Sequence, residues 1–242
     1  MKDWHEVPSR DGVYLWVCGD LLSPRLDEAL GLVAPDEEER ARAFRFEEDR
    51  RRYLGGALLR RVVLSRLLSC SLGEVSFFKN EWGKPFLDKR HESTIQFSLS
   101  RSHKLSVLAV SVEGEIGVDV EYERGRVGND LSMKSQFSEA EQEFIEQAAD
   151  SRQAFFEIWA RKEAYIKGIG RGLSHPLEKF DVSPSGEKFV RDWSVDLMQE
   201  TWEVRSMELS EKHYASALAM RGALPPVELI EVEINDLLNF TS

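Results

Sequence analysis

The chain has 242 residues and a formal net charge of −11, with 42% apolar and 31% charged residues spread along its whole length. That length suits one large domain or two small ones, and the composition excludes a disordered or fibrous chain. The acidic balance argues against a nucleic-acid partner, which needs a cationic surface, and no run is long and uncharged enough to span a bilayer. The first residues, Met1-Lys2-Asp3-Trp4-His5-Glu6, lack the apolar stretch of a secretory signal, so a cytoplasmic protein without a membrane partner is expected. Cys18 and Cys70 lie far apart among apolar neighbours and read as buried thiols rather than a disulfide or zinc site.

In chain order, residues 13–18 form a short run rich in β-branched and aromatic residues, which predicts a buried strand. Pro35 and the acidic residues after it predict a helix over 36–44, and apolar residues at three- and four-residue spacings predict another over 47–68. Gly55-Gly56 inside that helix implies close packing against a neighbour. Between Arg40 and Arg66 lie Arg42, Arg45, Arg50, Arg51, Arg52, Arg60 and Arg61. This excess of positive charge suits a polyanionic small molecule, although a solvated helix face paired with Glu37, Glu38, Glu39, Glu47 and Glu48 would look the same.

Strands are predicted at 75–78 and 93–99, with a loop over 80–85. Two further strands, 105–112 and 115–123, read as a hairpin around Glu113-Gly114. Helices are expected over 138–148, where Ser138 and Glu141 fit a capping box, and over 151–167. The last quarter reads as strands at 179–182, 202–209, 213–220 and 227–234. Helices and strands mix while neighbouring strands turn back on one another, so the fold class is α+β with antiparallel sheets and flanking helices.

The most informative stretch is Ile116-Gly117-Val118-Asp119-Val120-Glu121. In a strand Asp119 and Glu121 share one face while Val118 and Val120 take the other. Two neighbouring carboxylates repel unless a cation lies between them, and Mg²⁺ takes one or two carboxylates and completes its shell with water and phosphate oxygens. A solvated acidic edge strand is the alternative. The second stretch is Trp159-Ala160-Arg161-Lys162-Glu163-Ala164-Tyr165-Ile166-Lys167, in which Trp159, Glu163 and Lys167 fall one turn apart along one helical stripe. A surface Glu–Lys pair worth about 0.3 kcal/mol would show the same spacing. Gly168-Ile169-Gly170-Arg171-Gly172 follows, a basic glycine-rich segment that can approach phosphate or simply end the helix.

A D-x-E strand followed some forty residues later by W-x-x-K-E-A-x-x-K on a helix resembles the paired signature of the Sfp-type 4′-phosphopantetheinyl transferases. Trp82-Gly83-Lys84-Pro85, Phe97-Ser98-Leu99-Ser100, Phe137-Ser138 with Glu141, and Gly170-Arg171-Gly172-Leu173-Ser174 fall in that family's order. The match runs from about Arg40 to Val182. The resemblance implies two similar α+β halves in one chain, residues 1–115 and 116–242, with coenzyme A in the cleft between them and a monomer sufficient. It implies that Asp119, Glu121 and Glu163 hold Mg²⁺ against the pyrophosphate, and that Lys167, or more weakly Lys162, steadies the phosphates. Gly83, Lys84, Pro85 and Ser100 would meet the adenine and 3′-phosphate end, with Arg40 and Arg52 adding positive charge.

One departure stands out. The family carries histidine after the serine, whereas this chain reads Ser98-Leu99-Ser100-Arg101-Ser102, with His103 two positions on. Arg101 can grip a phosphate bidentately but cannot titrate near neutral pH. The implied reaction moves the phosphopantetheine arm of coenzyme A to a serine of an apo acyl or peptidyl carrier protein of fatty-acid, polyketide or peptide synthesis. Glu163 is the first choice of base and Glu141 the second. The segment 122–136, with Arg124, Arg126, Met133 and Lys134, is expected to touch the carrier. Two alternatives remain on sequence: a Mg²⁺-dependent phosphodiesterase using the same carboxylates, and a non-catalytic coenzyme A- or carrier-binding homologue, suggested by Arg101.

Overall fold

A computed structural model describes residues 12–123, 130–182, 188–194 and 200–240, without the side chains of 130–132 and 173. Arg124 and Arg126 lie outside the described residues. The fold is α+β, and the chain divides into two compact units, one of residues 1–79, 85–113 and 226–242 and the other of residues 80–84 and 114–225.

The first unit is built on β1 (Val13–Cys18), whose six residues are all buried. A strand covered on both faces has no reason to alternate, which explains its unbroken apolar run. It pairs antiparallel with β5 (Leu105–Ser111) and parallel with β11 (Val227–Val232), and β4 (Gln96–Ser102) completes the order β11-β1-β5-β4. Helix α2 (Glu47–Leu68) packs on this sheet through Leu54, Leu58, Val62 and their neighbours. Gly55 lets Leu21 and Leu26 press against the helix, since an added Cβ would fall 2.5 Å from one Leu21 methyl. Helix α1 (Pro35–Arg42) brings the buried Glu37 to Arg60 and Arg61 of α2. The short strands β2 (Phe77–Lys79) and β3 (Pro85–Leu87) form a separate hairpin, and α5 (Ile234–Leu238) ends the unit.

In the second unit β6 (Ile116–Tyr122), β10 (Tyr214–Arg221) and β9 (Trp202–Ser206) form an antiparallel sheet in the order β6-β10-β9. Across it lies α4 (Ser151–Ile169), opened by the Asp150 carboxylate, which accepts from the backbone amides of Arg152 and Gln153, and closed by Gly170 at φ +70°. Helix α3 (Glu139–Gln147) begins with the expected capping box, and β7 (Phe180–Asp181) pairs with β8 (Arg191–Asp192). Phe137, Phe155, Tyr165, Phe180 and Trp202 form the centre of its core.

Three local expectations change. The hairpin around Glu113-Gly114 does not form: β5 and β6 belong to different sheets, and β5 pairs instead with β4 across the two-residue turn His103-Lys104, where His103 sits at φ +51°. Turn-forming residues between two apolar runs mark a change of direction but do not say which strand returns to which. The strand expected over 93–99 lies at 96–102, so Ser100 and Arg101 are strand residues. The last strand pairs parallel with β1, a partner more than two hundred residues away.

Candidate functional site

The geometry of the second unit starts from two glycines. A Cβ on Gly117 would lie 2.0 Å from the Ala164 carbonyl oxygen and 2.3 Å from the Gly168 amide nitrogen, while one on Gly168 would meet the Trp202 ring at 2.6 Å. Strand β6 and helix α4 therefore touch backbone to backbone. By the two-residue period of a strand, Asp119 and Glu121 share with Gly117 the face turned to α4, while Val118 and Val120 are wholly buried on the other.

On α4 the stripe Trp159, Glu163, Lys167 meets them. The Lys167 ammonium pairs with Asp119 Oδ1 at 2.5 Å, and the Trp159 indole donates to Glu121 Oε1 at 3.4 Å. The Asp119 side chain is 2% exposed and that of Lys167 30%, so the pair is open on the lysine side only. Glu163 Oε1 is buried with no hydrogen-bond partner. Burial first, and then the Asp119 carboxylate, push the Glu163 carboxyl up to about 7, against the opposing pull of Lys167.

Among the described residues no three Asp, Glu, His or Cys side chains stand gathered as a metal cage. The donor set nevertheless fits a hard divalent cation: carboxylate oxygens only, one of them buried and unsatisfied, and more acid than the single lysine neutralises. Mg²⁺ is characteristically held by one or two carboxylates plus water and substrate phosphates rather than by a full protein cage.

Lys162 and Glu141 are placed differently. Both side chains are fully buried and paired at 2.7 Å. The Lys162 ammonium also donates to the carbonyls of Leu177 and Phe180, and Glu141 accepts from the backbone amides of Ser138 and Val182. Burial works against charge on both groups, and the pairing opposes it. With every ammonium proton used and no exposed atom, neither can meet a substrate in this conformation, which corrects the expectation of Glu141 as base and Lys162 as phosphate ligand.

The segment 80–84 is held by Asn80. Its amide oxygen accepts from the backbone amides of Trp82 and Lys84, its amide nitrogen donates to the Gly170 carbonyl, and Gly83 turns the chain at φ +89°. The Lys84 ammonium reaches the carbonyls of Gly168 at 2.6 Å and Ile116 at 3.3 Å, joining the end of α4 to the start of β6. Burial pushes its pKa down to about 8. The side chain of Lys84 thus serves the frame of the cluster, while Pro85 opens β3.

In the first unit the structure gathers arginines around Tyr53. Arg40 and Arg101 lie over its ring, at 5.5 and 5.3 Å, and Arg101 also donates to the Tyr53 carbonyl. Gly56 makes room for this, since a Cβ there would fall 2.4 Å from Arg101 Cδ. Burial, and then the charges of Arg60 and Arg40, make the guanidinium of Arg101 harder to keep protonated, as expected where like charges crowd. Ser100, one residue before, is 5% exposed. Arg52 is committed elsewhere, to Asp49, to Glu48 at 3.1 Å and to the His103 carbonyl at 3.0 Å. The sequence showed Arg60 in the run of arginines but not Tyr53; the spacing of seven residues between them, with Gly56 in the middle, was the available signal for one helix face.

Residues 115–219 match the profile of the 4′-phosphopantetheinyl transferase superfamily, and residues 22–113 match that of the N-terminal part of a 4′-phosphopantetheinyl transferase. The chain is similar to the 4′-phosphopantetheinyl transferase HetI of Nostoc, with 34% identity over 177 residues that cover 72% of this chain and 74% of HetI. It is 30% identical to the 4′-phosphopantetheinyl transferase gsp of Aneurinibacillus migulanus, covering 79% and 78% of the two chains. It is also 28% identical to the human L-aminoadipate-semialdehyde dehydrogenase-phosphopantetheinyl transferase, covering 89% and 76%. With the acid–lysine cluster in place on β6 and α4 and relatives of this identity and coverage, the chain belongs to the 4′-phosphopantetheinyl transferase superfamily.

Proposed function

We propose that this chain transfers the 4′-phosphopantetheine arm of coenzyme A to a serine of an apo acyl or peptidyl carrier protein, releasing adenosine 3′,5′-bisphosphate. The observation that carries the reading is the buried, partnerless oxygen of Glu163 beside the Asp119–Lys167 pair. Such a site is costly when empty and complete when a cation and phosphate oxygens enter it.

In the reaction the serine Oγ forms a bond to the phosphorus next to pantetheine, the bond from that phosphorus to the bridging oxygen breaks, and the serine proton passes to a base. Asp119, Glu121 and Glu163 are the residues that would hold Mg²⁺. Bound there, Mg²⁺ would offset the negative charge of the diphosphate. Lys167, the partly exposed cation of the cluster, would steady the same phosphates as charge moves to the leaving group. Glu163 is proposed as the base that takes the serine proton, directly or through a water. Glu141 and Lys162, closed in the core, take no part.

The arginines about Tyr53 suit a phosphate monoester, so Arg40 and Arg101 would serve the 3′-phosphate of coenzyme A. Ser100 and the backbone at Gly83 and Pro85 would lie toward its adenine. Arg101 meets the demand for a cation where the family carries histidine. The reading includes a monomeric cytoplasmic enzyme without a nucleic-acid partner, in line with the net charge of −11. Among the described residues no helix is long and apolar enough to cross a membrane.

Intact-mass measurement of an apo carrier incubated with this protein, coenzyme A and Mg²⁺ tests the proposal. A gain of one phosphopantetheine with the wild-type protein, lost with Asp119→Ala and Glu163→Ala, is the expected result. No gain with acyl or peptidyl carriers, while coenzyme A still binds, would overturn it.

A further inference from the structure

The three carboxylates of the cluster are not held in the same way. Asp119 is fixed by its ion pair with Lys167, and its backbone carbonyl also accepts the Ser216 hydroxyl at 2.8 Å. Glu163 is enclosed by burial. Glu121, half-buried toward the end of β6, has one more rotatable bond than Asp119 to fix on binding a cation. Its carboxylate accepts from the Trp159 indole N–H at 3.4 Å.

That indole is itself immobilised. Its ring stacks on Phe155, one helical turn earlier, with centroids 6.2 Å apart and planes 14° from parallel. It also stacks on Phe137, at 6.2 Å and 24°, and Phe137 and Phe155 stack on each other at 5.6 Å and 11°. Phe137 and Phe155 are each 2% exposed, so the stack belongs to the rigid core of the second unit. An indole N–H can only donate, so it cannot compete for a metal ion. It can fix the rotation of the carboxylate that accepts from it, as the supporting hydrogen bonds around a metal ligand do.

We propose that Trp159 is a positioning residue for Mg²⁺: the three-ring stack holds its indole N–H against Glu121 and so presets the carboxylate for the ion. The inference rests on the transferase reading above, because it takes the acid cluster as the Mg²⁺ site. It separates one function of the W-x-x-K-E-A-x-x-K helix from the others. Glu163 and Lys167 face the chemistry, whereas Trp159 acts through Glu121.

The test uses Trp159→Phe, which keeps an aromatic ring in the stack and removes only the donor. Mg²⁺ is titrated calorimetrically into wild-type protein and variant, each saturated with coenzyme A. The expected result is Mg²⁺ binding about tenfold weaker in Trp159→Phe, with the thermal midpoint of the metal-free protein unchanged. In a Glu121→Ala background the same substitution has no further effect on Mg²⁺ affinity, as a cycle through one shared contact requires. Equal affinities for wild type and Trp159→Phe would overturn the proposal, and so would a loss that persists without Glu121. Failure of the transferase reading would show separately, as an unmodified carrier with the wild-type protein while the calorimetric difference stands. Absence of Mg²⁺ binding by the wild-type protein would overturn both.

Discussion

Helix α4 carries two lysine–carboxylate pairs five residues apart, and they have opposite characters. Lys162 and Glu141 are fully buried, and backbone groups take up the hydrogen-bonding capacity that their pairing leaves over. Lys167 and Asp119 are paired as closely, but the lysine is open to solvent and a third acid, Glu163, stands beside them with a buried oxygen that nothing satisfies. The first pair is complete and the second leaves charge unbalanced. A closed buried pair contributes specificity to the fold, because removing either partner strands a charge. An open pair with surplus acid is unfavourable in the free protein and favourable once a cation and phosphates arrive, which is what a binding site requires. Neighbouring residues of one motif, Lys162 and Glu163, thus differ: one is closed in a completed pair and the other keeps an unsatisfied oxygen.

The comparison depends on β6 and α4 touching, so the largest effect is expected from Gly117→Ala. The added methyl would meet backbone atoms of Ala164 and Gly168, which no rotamer change can move aside. The expected cost exceeds about 3 kcal/mol, beyond ordinary overpacking, and should be read as loss of a cooperative urea transition or a collapse of its midpoint. Gly31→Ala, with nothing within 4 Å of the new methyl, is the control. If Gly117→Ala folded with wild-type stability, the placement of the cluster by backbone contact would be wrong.

Next in size is the closed pair. Lys162→Met leaves Glu141 buried without its cation, at an expected cost of about 3–5 kcal/mol, and the double variant Lys162→Met with Glu141→Gln should recover part of it. Urea denaturation measures both. The comparison is sharpened if the folded fraction of Lys162→Met keeps the wild-type Mg²⁺ requirement and KM for coenzyme A. It is broken if transfer fails in a protein that is still folded, since Lys162 would then act in the chemistry.

The two pairs were not equally legible in the sequence. The three- and four-residue spacing of α4 placed Trp159, Glu163 and Lys167 on one stripe, and the two-residue period of β6 placed Asp119 with Glu121; helix and strand geometry carry that much without tertiary information. What they do not carry is which residues face inward between elements. Lys162 and Glu141 looked as available as their neighbours because a buried ion pair and an exposed one have the same residue types, and the backbone groups that close the pair, among them the carbonyls of Leu177 and Phe180, carry no mark in the sequence. The frame contacts of Lys84 were hidden in the same way, because the Gly168 and Ile116 groups that it reaches are backbone carbonyls, and every sequence offers those at every position. The strand over 105–112 was readable and its partner was not, because β-pairing is chosen by which surfaces need covering across the sheet rather than by the turn that follows.

The smallest effect tests the open side of the comparison. Glu163 has an ordinary carboxyl pKa of 4.5 when unfolded and about 7 in the folded protein, where burial and Asp119 resist its ionisation. Between those values the folded chain keeps a proton that the unfolded chain has lost. Stability in the absence of divalent cations therefore falls as pH rises through this window, with a contribution that approaches about 1.4 kcal/mol per pH unit and flattens above about 7. Urea midpoints of metal-chelated protein from pH 5 to pH 8 measure it. Glu163→Gln, which cannot ionise, should lose this part of the slope and exceed the wild type in stability at pH 8, even as transfer to the carrier is lost. The closed pair offers no such trade, since every single change there costs stability. A wild-type slope unchanged by Glu163→Gln would mean that its carboxyl is already satisfied in the free protein, and the distinction between a completed pair and one waiting for its cation would disappear.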